Sequence, residues 1–188
     1  MDRALIVCDA PKATDFYRNF LIQNEYRDVT VVSGGAEAKR LLVERDFDVC
    51  VINAPLLTET GEQLSIELAE KNICQVILFV KAEFMEEITE KVEDFGVITV
   101  SKPISRQMFW SALKLARVTQ KRLVMAQREN AKLQKKITDL KLVSRAKCVL
   151  IAYEDMSEED AHKYLERQAM DRRMSRVQVA QEILNRYE

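Results

Sequence analysis

Short apolar runs recur five times in the first hundred residues, and segments of helical period separate them. Strands that alternate with helices in this way build a parallel sheet that helices cover on both faces. We therefore predict an α/β domain with a doubly wound, five-stranded parallel sheet. The predicted strands are Leu5 to Val7, Val29 to Val32, Val49 to Ile52, Val76 to Val80 and Val97 to Val100. The predicted helices are Phe16 to Ile22, Ala36 to Glu44, Glu62 to Lys71, Met85 to Asp94 and a fifth from Ser105 through Trp110.

Charged residues are divided unequally along the chain. Residues 1–104 hold 11 Lys+Arg against 19 Asp+Glu, a balance of −8, whereas residues 105–188 hold 18 against 11, a balance of +7. This asymmetry indicates two units with different partners, and the basic unit is a candidate for nucleic-acid binding. No apolar run approaches the ~20 residues that span a bilayer, and the N-terminus lacks a signal-peptide pattern, so we expect a cytoplasmic protein with no membrane partner.

The residue types that most often carry metal or covalent chemistry are sparse. Four cysteines lie far apart without C-x-x-C spacing, and His162 is the single histidine. Zinc needs clustered ligands, so we expect no metal and no cofactor. No Ser, Cys or carboxylate pair has a partner within reach of a plausible site, and we therefore expect that the protein is not an enzyme.

Four motifs in the first half carry a family resemblance. They are ALIVCDA at the first strand, SGGAEA at the second helix, FDVCVINAPL at the third strand and VSKP after the fifth. In this order and spacing, residues 3–117 resemble the flavodoxin-like receiver domain of bacterial response regulators. In such folds a ligand lies at the carboxyl ends of the strands where the strand order reverses. The resemblance thus places Asp9, Asn53, Lys81 and Lys102 together.

The same positions depart from what phosphoryl transfer to a receiver requires. Asn53 stands where the family has its acceptor aspartate, and a neutral amide cannot form an acyl phosphate. Cys8 replaces one of two acidic metal ligands, which leaves Asp9 alone to hold magnesium. Lys81 and Thr99 replace the usual hydroxyl and aromatic residues. We expect a degenerate site in which lysines neutralise the remaining carboxylate; the alternative is a working receiver with unusual chemistry.

A long segment without Gly or Pro, from Lys114 to Ser144, follows. Its apolar positions are spaced 3, 4, 3, 4, 3, which is the seam of a parallel coiled coil, and an Asn in that seam favours two strands in register. We predict a homodimer through a coiled-coil helix over residues 118–144; the alternative is a solvated connector helix. The seam consists of Leu123, Ala126, Asn130, Leu133, Ile137 and Leu140.

The C-terminal segment is predicted to form three helices, of which the first continues the seam. Ser157 begins the second helix as an N-cap with acidic residues in the first turn, and Ser175 begins the third after a turn at DRRMS. The motifs RAKCVLI, MSEEDAHKYLERQAMDRR and VAQEIL resemble the ANTAR domain of transcription antitermination regulators. The sequence therefore divides into a receiver-like domain over residues 1–117, the linker helix, and an ANTAR domain over 138–188.

The ANTAR resemblance implies binding to hairpins of nascent leader RNA. The degenerate site of the first domain adds the expectation that a partner protein or a ligand, and not phosphorylation, regulates it. Arginine and lysine side chains at helix ends can stack on loop bases or hold phosphates. For Arg167 and Arg172 the alternative is a solvated surface position or an ion pair with Glu166 or Asp171. Ala146, Ala169 and Met170 are interpreted as packing residues. A DNA-binding or protein-binding regulator is the alternative function. The candidate RNA-binding residues are Lys147, Arg167, Arg172, Arg173 and Arg176.

Overall fold

The computed structural model describes residues 3–57, 59–71 and 74–187. The chain divides into two compact units, residues 1–124 and 125–188. The strands are β1 (Arg3–Val7), β2 (Asp28–Val32), β3 (Val49–Asn53), β4 (Gln75–Lys81) and β5 (Ile98–Lys102). The helices are α1 (Pro11–Gln23), α2 (Gly35–Glu44), α3 (Gly61–Glu70), α4 (Met85–Val92), α5 (Arg106–Glu154), α6 (Glu158–Asp171) and α7 (Arg176–Tyr187).

The five strands of the first unit form one parallel sheet in the order β2-β1-β3-β4-β5. The prediction of a doubly wound, flavodoxin-like sheet is confirmed. The central strands β1, β3 and β4 are rich in Val, Ile and Leu and are almost wholly buried, as expected of strands that are covered on both faces. The strand order reverses between β1 and β3, and this is the point where such folds place a ligand.

Each face of the sheet has its own apolar core. On one face α1 and the beginning of α5 pack on the strands, and on the other face α2, α3 and α4 do so. Aromatic rings fill the first of these cores: Phe109 of α5 stacks on Phe20 of α1 with ring centroids 4.5 Å apart, and its edge meets Phe79 of β4 at 5.0 Å. These ring contacts position α1 against the carboxyl ends of the central strands.

Helix α5 is one continuous helix of 49 residues. The sequence predicted a fifth helix, a linker and a first bundle helix in this region. No Gly or Pro occurs between Arg106 and Glu154 to end a helix, and the three predicted segments are therefore joined. Among the described residues, no helix is both long and apolar enough to cross a membrane.

The second unit consists of the C-terminal part of α5 together with α6 and α7, which share an apolar core that includes Leu150, Leu165 and Ile183. Ser157 caps α6 as predicted, because its Oγ accepts a hydrogen bond of 3.1 Å from the backbone N–H of Asp160. At the other end of α6, Arg173 has a left-handed backbone with φ of 51° and leads into the turn before α7.

Candidate regulatory and nucleic-acid sites

The carboxyl edge of the sheet collects the residues that the receiver resemblance singled out. Asn53 ends β3, Lys81 ends β4, Lys102 ends β5, and Asp9 follows β1 by two residues. Lys81 and Lys102 are direct partners in the register of β4 and β5. The parallel sheet thus brings all four positions to one edge.

Asn53 is buried, with 7% of its surface exposed. Its Oδ1 accepts a hydrogen bond of 2.8 Å from the hydroxyl of Tyr17 on α1. Burial raises the pKa of Tyr17, with Cys8 as a second cause, so the hydroxyl stays protonated as a donor. Tyr17 was not among the predicted site residues. Its spacing with Phe20 and Leu21 places it on the buried stripe of α1, and a buried tyrosine hydroxyl needs a hydrogen-bond partner, so the sequence did contain a signal for this contact.

Lys102 is half-buried, and its ammonium group donates a hydrogen bond of 2.5 Å to the carbonyl of Ala54. Burial lowers the pKa of Lys102; Cys8 and Asp9 oppose this shift and Lys81 adds to it. Asp9 therefore lies close enough to act on Lys102 electrostatically. Lys81 is exposed, and the carboxylate that pairs with it is Glu83, at 3.5 Å.

Three of the four predicted residues line two separate cavities. Asn53 and Lys102 line one of about 350 Å³, whose other walls come from α1 and from Pro103 and Ile104. Lys81 lines another of about 160 Å³ beside the N-terminus of α3. Of the predicted cluster, only the amide and one ammonium group thus face a common cavity.

Two further positions where the chain departs from the receiver pattern have structural partners. Cys8 is buried, and its Sγ lies 3.5 Å from the carbonyl oxygen of Ala10. The hydroxyl of Thr99 on β5 lies 2.8 Å from the hydroxyl of Thr89 on α4. Across residues 3–57, 59–71 and 74–187, no three His, Cys, Asp or Glu side chains are grouped in a way that could hold a metal ion.

Three of the five candidate RNA-binding residues form ion pairs within the second unit. Lys147 of α5 pairs with Glu158 at 2.9 Å and lowers the pKa of that carboxyl. Arg172 pairs with Glu182 at 2.6 Å, and Arg176 pairs with Glu166 at 3.2 Å. Each pair joins two helices or spans a turn. Glu166 and Asp171 were the alternative partners considered for Arg167 and Arg172. In the structure Glu166 pairs with Arg176, and Arg172 pairs with Glu182.

Arg167 and Arg173 are both exposed. Neither forms a side-chain ion pair with another described residue. Met170 is 78% exposed, so its interpretation as a packing residue is wrong, whereas Ala146 and Ala169 are buried as expected. Met170 lies outside the buried stripe of α6, which consists of Ala161, Leu165 and Ala169. The two exposed arginines and Met170 thus form part of the solvent surface of this unit.

The predicted seam on α5 is uncovered in the single chain. Leu133, Ile137 and Leu140 are 52%, 46% and 69% exposed. Asn130 and Ala126 are exposed and Leu123 is half-buried. An apolar stripe at heptad spacing is thus available to a partner along more than four turns of helix.

Comparisons with known proteins agree with this division into two units. Residues 131–184 match the ANTAR domain family, which covers the three-helix unit almost entirely. The chain is 28% identical over 184 residues to the transcriptional regulatory protein PdtaR of Mycobacterium tuberculosis, covering 97% of this chain and 86% of that protein. It is 31% identical over 94 residues to the aliphatic amidase regulator of Pseudomonas aeruginosa, covering 50% of this chain and 47% of that regulator.

The first unit has the receiver fold. A signal receiver domain of an HD domain-containing protein from Pseudomonas fluorescens superimposes with a TM-score of 0.57 and 19% identity. The superposition covers 68% of this chain and 92% of the solved structure. The chain thus combines a unit that has the receiver fold with a segment that matches the ANTAR domain family.

Proposed function

We propose that this chain, in which a receiver-like domain precedes an ANTAR domain, is a regulator of transcription antitermination that binds hairpins of nascent leader RNA. The observation that carries the proposal is the family match over residues 131–184, which coincides with the basic three-helix unit. The relatives support regulation of gene expression, since one is named a transcriptional regulatory protein and another an amidase regulator.

The side chains of the second unit suit a folded RNA. Arg167 and Arg173 are exposed and free to meet phosphates, and Lys147, Arg172 and Arg176 are held only by surface carboxylates. Surface ion pairs contribute about 0–1 kcal/mol, so a phosphate can replace the carboxylate at little cost. Hairpin loops present unstacked bases, which guanidinium groups and apolar side chains contact.

The receiver-like domain, in this proposal, acts without phosphorylation. The amide of Asn53 is held by Tyr17 and is no nucleophile, and Cys8 leaves Asp9 without a second acidic ligand for magnesium. A partner protein or a ligand then supplies the input. The cavity beside Asn53 and Lys102 and the surface of this domain are the places where such a partner would bind.

Dimerisation through the α5 seam would place two ANTAR domains on one assembly. Leu133 and Ile137 would be covered by the same residues of a second copy, Asn130 would meet its counterpart, and Leu140, the last seam residue, would stay partly open. Two linked modules engage two hairpins with higher apparent affinity than one, because the second binding step is intramolecular.

Binding to looped RNA and to duplex DNA of equal length, measured at several salt concentrations, tests the function. We expect a preference for RNA with two hairpins that persists as salt rises, because base contacts are less sensitive to salt than phosphate contacts. Changing the loop bases while keeping the stems should weaken binding. Equal, steeply salt-dependent binding to both nucleic acids would instead indicate a DNA-binding or nonspecific regulator, and no binding to either would indicate a protein-binding one.

A further inference from the structure

The second unit has a groove of about 540 Å³ between α5 and the side chains of α6 and α7. Three apolar side chains form its floor: Leu140 and Val143 of α5 and Val177 of α7. Cavities of this size accommodate small organic ligands of the size of a nucleoside. The floor is apolar although the surrounding surface of this unit is highly charged.

The rim of the groove is positively charged. Lys136, Lys147 and Arg176 line it, against the single carboxylate of Asp139. Two further carboxylates stand just outside and occupy two of these cations: Glu158 pairs with Lys147, and Glu166 pairs with Arg176. Carboxylate oxygens here take the places that phosphate oxygens could take on the same ammonium and guanidinium groups.

We propose that this groove receives one unpaired base of an RNA loop, while Lys147 and Arg176 exchange Glu158 and Glu166 for the phosphates that flank the base. The proposal rests on the proposed RNA-binding function and names a subsite within it. The apolar floor contacts the face of the base and the basic rim holds the backbone, with leucine and valine in the place where single-strand binding sites usually have aromatic rings. A base inside a duplex is stacked on both faces and cannot enter.

The paired carboxylates have a second consequence for binding. In the RNA-free protein they hold the two cations in place, so RNA must displace them. Removing either carboxylate frees its cation for a phosphate. Glu158 and Glu166 of α6 therefore compete with the RNA phosphates for Lys147 and Arg176.

A charge placed in the groove tests the subsite. Ser144 lines it, whereas Thr138 lies on another side of α5, and both are exposed. We expect Ser144→Glu to weaken binding of hairpin RNA by roughly tenfold or more, since contact with a single base contributes about that much. Thr138→Glu adds the same charge to the same helix and should change affinity by no more than about threefold. Both variants are compared under conditions where sedimentation shows the wild-type assembly state.

A fluorescent base supplies an independent readout. Aminopurine replaces each unpaired loop adenine in turn, and we expect one position to change its emission on binding wild-type protein and to lose that change with Ser144→Glu at saturation. If no loop position responds, or if Ser144→Glu binds as well as Thr138→Glu, the subsite is refuted although RNA binding stands. A change in sedimentation with unchanged RNA affinity would assign the groove to an interface between copies and would also overturn the proposal. Absence of RNA binding by wild-type protein would instead refute the proposed function.

Neutral variants test whether the carboxylates of Glu158 and Glu166 compete with RNA. Glu158→Gln and Glu166→Gln should each tighten binding by several-fold at low salt. Glu159→Gln is the matched control, because Glu159 also lies in the first turn of α6 but pairs with Lys163, outside the groove. If all three substitutions changed RNA affinity equally, the effect would come from net charge alone, and the proposed exchange of carboxylate for phosphate would be contradicted.

Discussion

At the scale of single residues, the amide of Asn53 lacks the negative charge of an aspartate but keeps the acceptor oxygen that Tyr17 uses. The hydroxyl of Tyr17 donates to Oδ1, and a carboxylate at this position would accept the same bond. A carboxylate would add a negative charge to an edge where Asp9 already acts on Lys102. The neutral amide therefore keeps the polar contact and removes the need for a cation.

The Tyr17 hydroxyl is predicted to contribute measurably to stability. Tyr17→Phe leaves the buried Oδ1 of Asn53 without its donor, which costs about 1–3 kcal/mol. Urea denaturation followed by circular dichroism measures the loss. A double-mutant cycle with Asn53→Ala is the control: the two substitutions together should cost less than the sum of each alone. Strict additivity would show that the hydrogen bond contributes nothing.

Arg173 separates stability from binding. Its backbone is left-handed with φ of 51°, a conformation that costs a residue with a Cβ about 1 kcal/mol and that glycine adopts freely. We expect Arg173→Gly to raise the unfolding free energy by about 1 kcal/mol, and to weaken hairpin binding because a cation is lost. Thermal melts and gel shifts measure the two effects. Arg173→Asn tolerates the same backbone and also lacks the charge, so it should match the glycine variant in RNA affinity; unchanged affinity in both would remove Arg173 from the interface.

At the scale of secondary-structure elements, the strands were predictable because a parallel strand that is buried on both faces must be a short run of apolar residues. Each predicted strand starts and ends within two residues of the observed one, from Leu5 to Val7 in β1 to Val97 to Val100 in β5. The cap at Ser157 was predictable because an N-cap depends on residues that are close in sequence. The partners of the basic residues were not. Arg172 reaches Glu182 and Arg176 reaches Glu166 across the turn between two helices, and local spacing carries no information on such pairs.

The seam of α5 makes a prediction about assembly. Asn130→Lys would place two ammonium groups opposite each other in the seam of a parallel dimer. The two charges repel each other, and burying them removes their hydration. We expect the sedimenting mass to fall to that of one chain at micromolar concentration. Ala131→Lys, at an exposed position that faces away from the seam on the same helix, should leave the mass unchanged. Wild-type protein that sediments as a single chain would show that α5 is a solvated helix and that no seam forms.

At the scale of the whole molecule, the two units differ in both charge and chemistry. Residues 1–124 hold 16 Lys+Arg against 19 Asp+Glu, a balance of −3, and residues 125–188 hold 13 against 11, a balance of +2. The ANTAR match lies within the second of these units. In the proposed function, contact with RNA is made by the second unit, which has the positive balance, and not by the first unit, which has the negative one. Control by the first unit would then come through what binds to it and not through its own affinity for RNA.

The absence of a nucleophile at position 53 predicts that phosphodonors have no effect on the protein. Acetyl phosphate with Mg²⁺ should leave the intact mass, the sedimentation and the hairpin affinity of the wild type unchanged, because the amide of Asn53 cannot form an acyl phosphate. Mass spectrometry and gel shifts after incubation measure these outcomes. Covalent labelling of Asn53, or a change in RNA affinity that requires the phosphodonor, would contradict a phosphorylation-independent receiver.

A variant with the carboxylates restored is the matched control for this prediction. Cys8→Asp combined with Asn53→Asp gives three carboxylates at the edge where Asp9 now stands alone, and without a cation they repel one another. We expect the melting temperature of this variant to fall by roughly 5 °C and to recover when Mg²⁺ binds the restored ligands, whereas Mg²⁺ should leave the wild type unchanged. A wild-type melting temperature that rises with Mg²⁺ would mean that the native edge already holds a divalent cation, and the argument from its missing ligand would fail.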